Sequence, residues 1–150
     1  TPLFNSASYN SYVTENALIG SSVMIVTASD EDAADSALAY ELSGKNSSHF
    51  TVTSNGLIQT GRDIDYESVQ GYSLTLTATD SANNTGTTVI IITVVNVNDN
   101  DPVFSAATHS VDVSEGSAPG TSVAKLTATD GDLEDTITYA LSGKVSFNDY

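Results

Sequence analysis

Residues 72–79, Tyr-Ser-Leu-Thr-Leu-Thr-Ala-Thr, alternate between apolar and polar side chains along most of their length. Leu74, Leu76 and Ala78 fall on one face, and Ser73 and the threonines fall on the other. A period of two with one apolar face is typical of a strand that is buried on one side. This stretch therefore predicts a β-strand at the surface of a packed core.

Several other short segments rich in Val, Ile and Thr also favour strands. Glycine and asparagine residues separate these segments, and no segment has sustained helical periodicity. Such a pattern over about 100 residues predicts an all-β, seven-stranded Greek-key β-sandwich of the immunoglobulin-like type. The strands are expected at residues 8–13, 22–29, 38–42, 49–53, 57–60, 72–79 and 87–95.

The chain repeats itself at an interval of 100 residues. The segment Thr1–Phe4 recurs as Asp101–Phe104, and Thr27–Asp30 recurs as Thr127–Asp130. Self-similarity at a fixed interval is the signature of repeated structural units. The sequence therefore predicts an array of similar domains.

The interval sets the expected domain boundaries. Residues 1–100 are expected to form one complete repeat, and residues 101–150 the first half of a second, which gives a partial second sandwich. In its second copy the starting motif follows the polar segment Asn96–Asn100. A further repeat is therefore expected before residue 1 in the parent protein.

The composition is strongly acidic, with 19 Asp and Glu against 4 Lys and Arg and a net charge of −15. This charge opposes binding to nucleic acid or to anionic membranes. The absence of cysteine excludes a disulfide-stapled module and a Cys-ligated metal site. The longest apolar run, Val89–Ile92, is too short to cross a bilayer, so we expect no membrane insertion of this segment.

The acidic residues are concentrated where strands end. Two carboxylates about 4 Å apart repel by roughly 4 kcal/mol at an effective dielectric constant near 20, so several such pairs need a cation between them. Oxygen-only ligands at irregular spacing favour Ca²⁺. Alternating strand directions place Asp30, Asp32 and Asp80 at one end of the sandwich, and Glu15, Asp65, Glu67 and Asp99 at the other.

These acids belong to five short motifs. The motifs are Val13-Thr14-Glu15-Asn16, Asp30-Glu31-Asp32, Ile64-Asp65-Tyr66-Glu67, Ala78-Thr79-Asp80 and the segment Asn96–Phe104. In type and order they resemble the motifs of the extracellular cadherin repeat. The resemblance covers the whole chain and implies the cadherin fold for both repeats.

The resemblance also implies a metal site, because cadherin repeats bind up to three Ca²⁺ ions at each linker. The implied ligands number six carboxylates, whose charge of −6 balances three Ca²⁺, and three linker residues. They are Glu15, Asp65, Glu67 and Asp99 with the Val97 carbonyl, Asn98 and Asn100 in the linker, and Asp130 and Asp132 from the second repeat. Asp30, Asp32 and Asp80 match half of a site shared with a preceding repeat.

Three departures from the family pattern concern the site. Asn96 stands where Asp is usual, Gly116 stands where Asn is usual, and the second repeat stops before its Ala-x-Asp element. One ligand of the outermost ion is therefore missing, and we expect that ion's site to be weak or empty.

The implied function is that of a calcium-dependent extracellular adhesion or structural module, and not of an enzyme. Ca²⁺ would fix each repeat to the next in the same chain, and a homophilic or heterophilic protein partner is expected. The parent protein is expected at the cell surface with a single membrane span. Asn46 and Asn83 begin sequons that permit N-glycosylation.

Two other classes of protein remain open at this stage. A calcium-stabilised carbohydrate-binding or surface-layer sandwich of a secreted protein would also be acidic, although it usually displays exposed aromatics. A glycosidase could use paired carboxylates such as Asp65 and Glu67. The chain has no tryptophan to line a sugar groove and no Gly-x-Ser-x-Gly motif, which disfavours the enzyme.

Overall fold

A computed structural model describes residues 1–31, 38–132 and 136–143. The chain divides into two units, Thr1–Val97 and Asn98–Tyr150, which are taken in turn. Within the described ranges, no helix is both long and apolar enough to cross a bilayer.

In the described residues of the first unit, all regular structure is β apart from one 3₁₀ turn at Ser47–His49. Its strands agree closely with the predicted ones because the period-two pattern is strong. They are β1 (Leu3–Phe4), β2 (Ser8–Thr14), β3 (Ser22–Ile25), β4 (Ala28–Ser29), β5 (Ala39–Ser43), β6 (Phe50–Val52), β7 (Leu57–Thr60), β8 (Gly71–Thr79) and β9 (Thr85–Val95).

Two main sheets form the sandwich, and the predicted fold class is confirmed. One sheet has the order β2-β9-β8-β5, and the other has the order β3-β7-β6. Neighbouring strands run antiparallel, except that β2 and β9 are parallel. Because β8 and β9 run in opposite directions, Asp80 and Asn96 lie at opposite ends of the four-stranded sheet.

Residues 22–29, predicted as one strand, form two separate strands in the structure. The segment is broken at Val26, so that β3 pairs with β7 whereas β4 pairs with β1. At the break the Val26 amide donates to the Gly56 carbonyl at 2.9 Å. Gly56 has φ +77°, and a Cβ there would lie 2.1 Å from the Val26 carbonyl oxygen. This close approach, made by a glycine distant in sequence, divides the strand.

Branched and aromatic side chains fill the space between the sheets. Ile58, Leu76 and Ile90 are each 0% exposed, and burying one such side chain contributes about 1.5–3 kcal/mol. The Phe50 ring meets the Tyr72 ring edge to face, with 4.8 Å between centroids, which is a favoured aromatic geometry. The core fixes the strand ends that carry the acidic residues.

Buried Thr60 anchors the loop between β2 and β3. Its hydroxyl donates to the Leu18 carbonyl at 2.7 Å and accepts from the Ser21 amide at 2.9 Å. The Gly20 amide donates to the Thr60 carbonyl at 2.7 Å. Thr60 is 1% exposed, whereas its partner Leu18 is 81% exposed, so these bonds are partly shielded from water, and they hold the chain that follows Glu15.

The second unit repeats local features of the first. Its described residues contain the antiparallel pair β10 (Val103–Phe104) and β11 (Ala128–Thr129), which matches β1 with β4. The Tyr139 hydroxyl accepts from the Ala128 amide at 3.1 Å, as Tyr40 does from Ala28 at 3.0 Å. Its apolar side chains are more exposed, however: Phe104 is 47% exposed and its counterpart Phe4 only 8%.

Candidate metal centre

Glu15 is a buried carboxylate at the end of β2 in the first unit. It is 3% exposed. One carboxylate oxygen accepts from the Tyr66 amide at 2.8 Å, and the other accepts from the Val97 amide at 2.6 Å. Hydrogen bonds to a charged acceptor are the strong ones. Glu15 therefore ties the turn after β7 to the segment that leaves β9.

Glu67 and Asp65 lie in that turn but act differently. One carboxylate oxygen of Glu67 lies within 4.8 Å of one from Glu15. Asp65 bonds within its own turn, where it accepts from the Ser68 hydroxyl at 2.6 Å and from the Glu67 amide at 3.1 Å. The Ser68 hydroxyl is the main reason that the pKa of Asp65 lies below its usual range. Both carboxylates are exposed, so Glu67 and Asp65 are accessible to a cation.

Asp132 is a buried carboxylate of the second unit, and it is 2% exposed. One of its oxygens accepts from the Asp99 amide at 3.1 Å and from the Asn100 amide at 2.8 Å. Asp132 in turn donates its own amide to Asp130 at 3.1 Å. Oxygens of Asp99 and Asp132 lie within 4.8 Å of each other. The second unit thus gathers three predicted ligand carboxylates around the linker.

A cavity of about 280 Å³ opens in the second unit beside these groups. Predicted ligands Asn98, Asn100 and Asp130 line it. The backbone comes close here, because a Cβ at Gly131 would lie 2.9 Å from the Asn100 side-chain carbon. The remaining lining residues were not predicted as ligands: Asp101 and Pro102 belong to the motif Asn96–Phe104, whereas Thr136, Ile137 and Thr138 belong to none of the five motifs.

The opposite end of the first unit carries Asp30 and Asp80. Oxygens of these carboxylates lie 3.0 and 4.0 Å from the same cationic nitrogen, the Thr1 amino group. Asp80 also accepts from the Asn84 side chain at 2.9 Å, and this bond is the main reason that its pKa is below the usual range. Asp32, the third predicted member, lies outside the described residues.

The donor set fits a hard cation. Every predicted ligand offers oxygen, which is the preference of Ca²⁺. Beside the site, the Asn96 side-chain oxygen is buried and has no hydrogen-bond partner in the described part of the chain. A buried acceptor of this kind is costly unless water or an ion satisfies it. The residues present are therefore compatible with bound Ca²⁺.

The structure explains the second sequence departure. Asn16 has φ +57°, and its counterpart Gly116 has φ +78°. Asn tolerates this left-handed conformation and Gly adopts it freely. The exchange of Asn for Gly therefore preserves the turn that follows Glu15 in the first copy and Glu115 in the second.

A family model described as "Cadherin domain" matches residues 9–95. The chain is 38% identical over 139 residues to mouse (Mus musculus) Protocadherin Fat 4, covering 87% of this chain and 3% of that protein. It is 35% identical over 150 residues to human (Homo sapiens) Cadherin EGF LAG seven-pass G-type receptor 1, covering 96% of this chain and 5% of the receptor. The chain thus spans only a small part of these relatives.

Solved structures agree with the sequence matches. Mouse Cadherin-23 EC22-24 superposes with a TM-score of 0.80 and 32% identity, covering 87% of this chain and 44% of that one. Drosophila N-cadherin EC1-4 has a TM-score of 0.77 and 27% identity, over 87% and 34% of the respective chains. On its sequence and its fold, the chain belongs to the cadherin family.

Proposed function

We propose that this chain is a calcium-dependent extracellular adhesion module in which Ca²⁺ at the linker fixes one repeat to the next. One observation carries the proposal. Buried carboxylates hold the backbone amides on both sides of the Val97–Asn98 peptide bond, Glu15 within the first unit and Asp132 within the second. A linker with anionic anchors on both sides is suited to a shared cation.

The proposed ligands follow from the donor set described above. Six carboxylates carry a charge of −6, which up to three Ca²⁺ ions would neutralise. Asn98, Asn100 and the Val97 carbonyl add neutral oxygens, since Ca²⁺ takes about 6–8 in total. The carboxylates are Glu15, Asp65, Glu67, Asp99, Asp130 and Asp132.

The proposed mechanism is mechanical. Without Ca²⁺ the carboxylates repel, and the linker is free to bend. Bound Ca²⁺ contacts both repeats, so its binding free energy stabilises one arrangement by mass action. Extracellular modules typically bind Ca²⁺ with a Kd of about 10⁻⁴–10⁻³ M, and we expect this range here.

The two repeats are proposed to be residues 1–100 and 101–150. The matching β1–β4 and β10–β11 pairs support this division, and so do the matching tyrosine hydrogen bonds. Asp30, Asp32 and Asp80 are proposed as half of a second Ca²⁺ site, completed by a preceding repeat.

The proposed location is the extracellular side of the cell surface. A single membrane span in the parent protein stays a prediction. One relative is named as a seven-pass receptor, so relatives of this chain differ from that expectation in the number of spans. Asn83 is exposed in the turn between β8 and β9 and is the better placed sequon, whereas Asn46 is half-buried. Protein partners are proposed by analogy with protocadherin gammaB7 EC3-6, a structure described as a cis-dimer.

Calorimetric titration with Ca²⁺ tests the proposal. The wild-type chain should bind Ca²⁺ with a Kd of about 10⁻⁴–10⁻³ M. Asp99→Ala should weaken binding at least about tenfold while the sandwich stays folded. Glu41→Gln, which removes an exposed carboxylate within β5, is the matched control and should bind as the wild type does. Unchanged affinity in Asp99→Ala would show that the ligand assignment is wrong.

A further inference from the structure

The turn between β6 and β7 contains Asn55 followed by Gly56, which is the single Asn-Gly pair in the sequence. An asparagine side chain loses ammonia when the next backbone nitrogen attacks its side-chain carbonyl carbon. Glycine resists this attack least, because it has no Cβ. Asn55 is exposed, so water and base reach its carboxamide. The pair therefore has the composition and the exposure of a spontaneous deamidation site.

The fold needs glycine at position 56. Gly56 is buried, its φ is +77°, and a Cβ there would lie 2.1 Å from the Val26 carbonyl oxygen. Its own carbonyl accepts from the Val26 amide at 2.9 Å. Packing against Val26 therefore excludes the bulkier residues that would shield Asn55 from attack.

Hydrogen bonds in the folded turn restrain both reacting groups. The Gly56 amide donates to the Thr53 carbonyl at 3.0 Å, which retains the proton that the nitrogen must lose before it attacks. The Asn55 side-chain oxygen accepts from the Thr53 hydroxyl. That hydroxyl also accepts from the Leu57 amide at 3.1 Å, and the Thr53 amide donates to the Leu57 carbonyl at 3.0 Å. An attack needs the nitrogen and the carbon to be aligned, and these bonds hold them in a different arrangement.

We propose that Asn55 is a deamidation site whose reaction is controlled by opening of the β6–β7 turn. In the open turn the Gly56 amide gives its proton to base, and its nitrogen forms a bond to Cγ of Asn55. The bond from Cγ to Nδ2 breaks, and Nδ2 leaves as ammonia with a proton from water. Water then hydrolyses the cyclic imide at either carbonyl, which gives aspartate or isoaspartate.

The two products affect the fold differently. Aspartate leaves the backbone unchanged at an exposed position. Isoaspartate adds a methylene group to the backbone directly before Gly56, where the approach to Val26 is close. The added length displaces the Gly56 carbonyl from the Val26 amide. We therefore expect the isoaspartate form of the first unit to be less stable than the aspartate form.

The open fraction of the turn sets the reaction rate. Hairpins form in about 1–10 µs, which is far faster than loss of ammonia from an amide. When opening and closing are fast relative to the chemistry, the rate follows the population of the open form. A turn that is open for a tenth of the time or less reacts at least about tenfold more slowly than the unfolded chain.

Peptide mapping by mass spectrometry of the 150-residue chain tests the proposal. Trypsin cleavage after Lys45 and Arg62 releases residues 46–62, which contain Asn55. In mildly alkaline buffer with a chelator, Asn55 should react at least about tenfold more slowly than in guanidinium chloride. Asn46 lies in the same peptide before a serine, and it should react more slowly than Asn55 in the unfolded chain. Asn55→Gln is the matched control and should not react at this position, because its longer side chain disfavours ring closure.

Thr53→Val tests the restraint, because it removes the hydroxyl that contacts the Asn55 side chain and the Leu57 amide. Asn55 should then react about fivefold faster in the folded chain, as expected for one lost hydrogen bond. In guanidinium chloride it should react at the wild-type rate. Circular dichroism verifies that the variant is folded. Isoaspartate chains, separated from aspartate chains by chromatography, should unfold at a lower urea concentration.

Equal rates for Asn55 in the folded and unfolded chains would overturn control by the turn. An Asn55 that reacts no faster than Asn46 in the unfolded chain would overturn the site itself. A folded Thr53→Val chain that reacts at the wild-type rate or more slowly would contradict the restraint by the hydroxyl, and equal stability of the two products would contradict the argument from Gly56. These measurements are made in a chelator, so their outcome is independent of the calcium proposal.

Discussion

Glu15 is expected to stabilise the first unit even when no Ca²⁺ is present. Its carboxylate is 3% exposed and accepts from the Tyr66 and Val97 amides at 2.8 and 2.6 Å. Glu15→Gln keeps the size of the side chain but replaces one acceptor oxygen by an NH₂ group. One buried amide then faces another donor and loses its partner, which costs about 2 kcal/mol.

Urea unfolding in the presence of a chelator, monitored by circular dichroism, measures this cost. The urea concentration at the unfolding midpoint should be lower for Glu15→Gln than for the wild type. The slope of the unfolding free energy against urea concentration should change little. Glu15→Ala, which removes both acceptors, should lose about 4 kcal/mol. The matched control is Glu41→Gln, a change at an exposed position that should stay within about 0.5 kcal/mol of the wild type. A Glu15→Gln chain as stable as that control would refute the structural role of Glu15.

Three further perturbations test the packing. Burial, with a smaller contribution from the Asp65 charge, raises the pKa of Tyr72 above its usual 10.0, so the neutral form is favoured in the fold. The stability from this preference is present below pH 10 and lost as the pH rises through the folded pKa; Tyr72→Phe should flatten that loss in alkaline thermal melts. Gly56→Ala should cost more than about 2 kcal/mol in urea unfolding, because its Cβ would meet the Val26 carbonyl and φ is +77°; a neutral effect would contradict the close approach. Thr60→Val should cost about 1 kcal/mol by removing two part-buried hydrogen bonds, to Leu18 and Ser21, whose backbone groups keep the bond between them. An equal cost at exposed Thr51→Val would contradict this reason.

The strands were predictable wherever alternation alone determines burial. In β8 the apolar face of residues 72–79 is the buried face, and β9 follows the same rule. The break in segment 22–29 was not predictable. It depends on the close approach of Gly56 to Val26, and a contact between residues so far apart leaves no trace in local periodicity.

The proposed acidic ligands could be selected from the sequence because the second copy of the repeat distinguishes a motif from an isolated carboxylate; their role as ligands stays a prediction. The different environments of these carboxylates were not predictable. Glu15 and Asp132 are buried and hold linker amides, whereas Asp65 and Glu67 are exposed. Backbone amides carry no sequence signature, so only the fold could pair these carboxylates with the linker.

Pulsed electron-spin distance measurement across the linker tests whether Ca²⁺ fixes one repeat to the next. The chain has no cysteine, so single labels can be placed at the exposed positions Thr51 and Ser122 by substitution with cysteine. We expect a broad distance distribution in chelator that narrows in millimolar Ca²⁺, and no narrowing in Asp99→Ala. A distribution that is the same with and without Ca²⁺ would contradict the claim that Ca²⁺ fixes one repeat to the next.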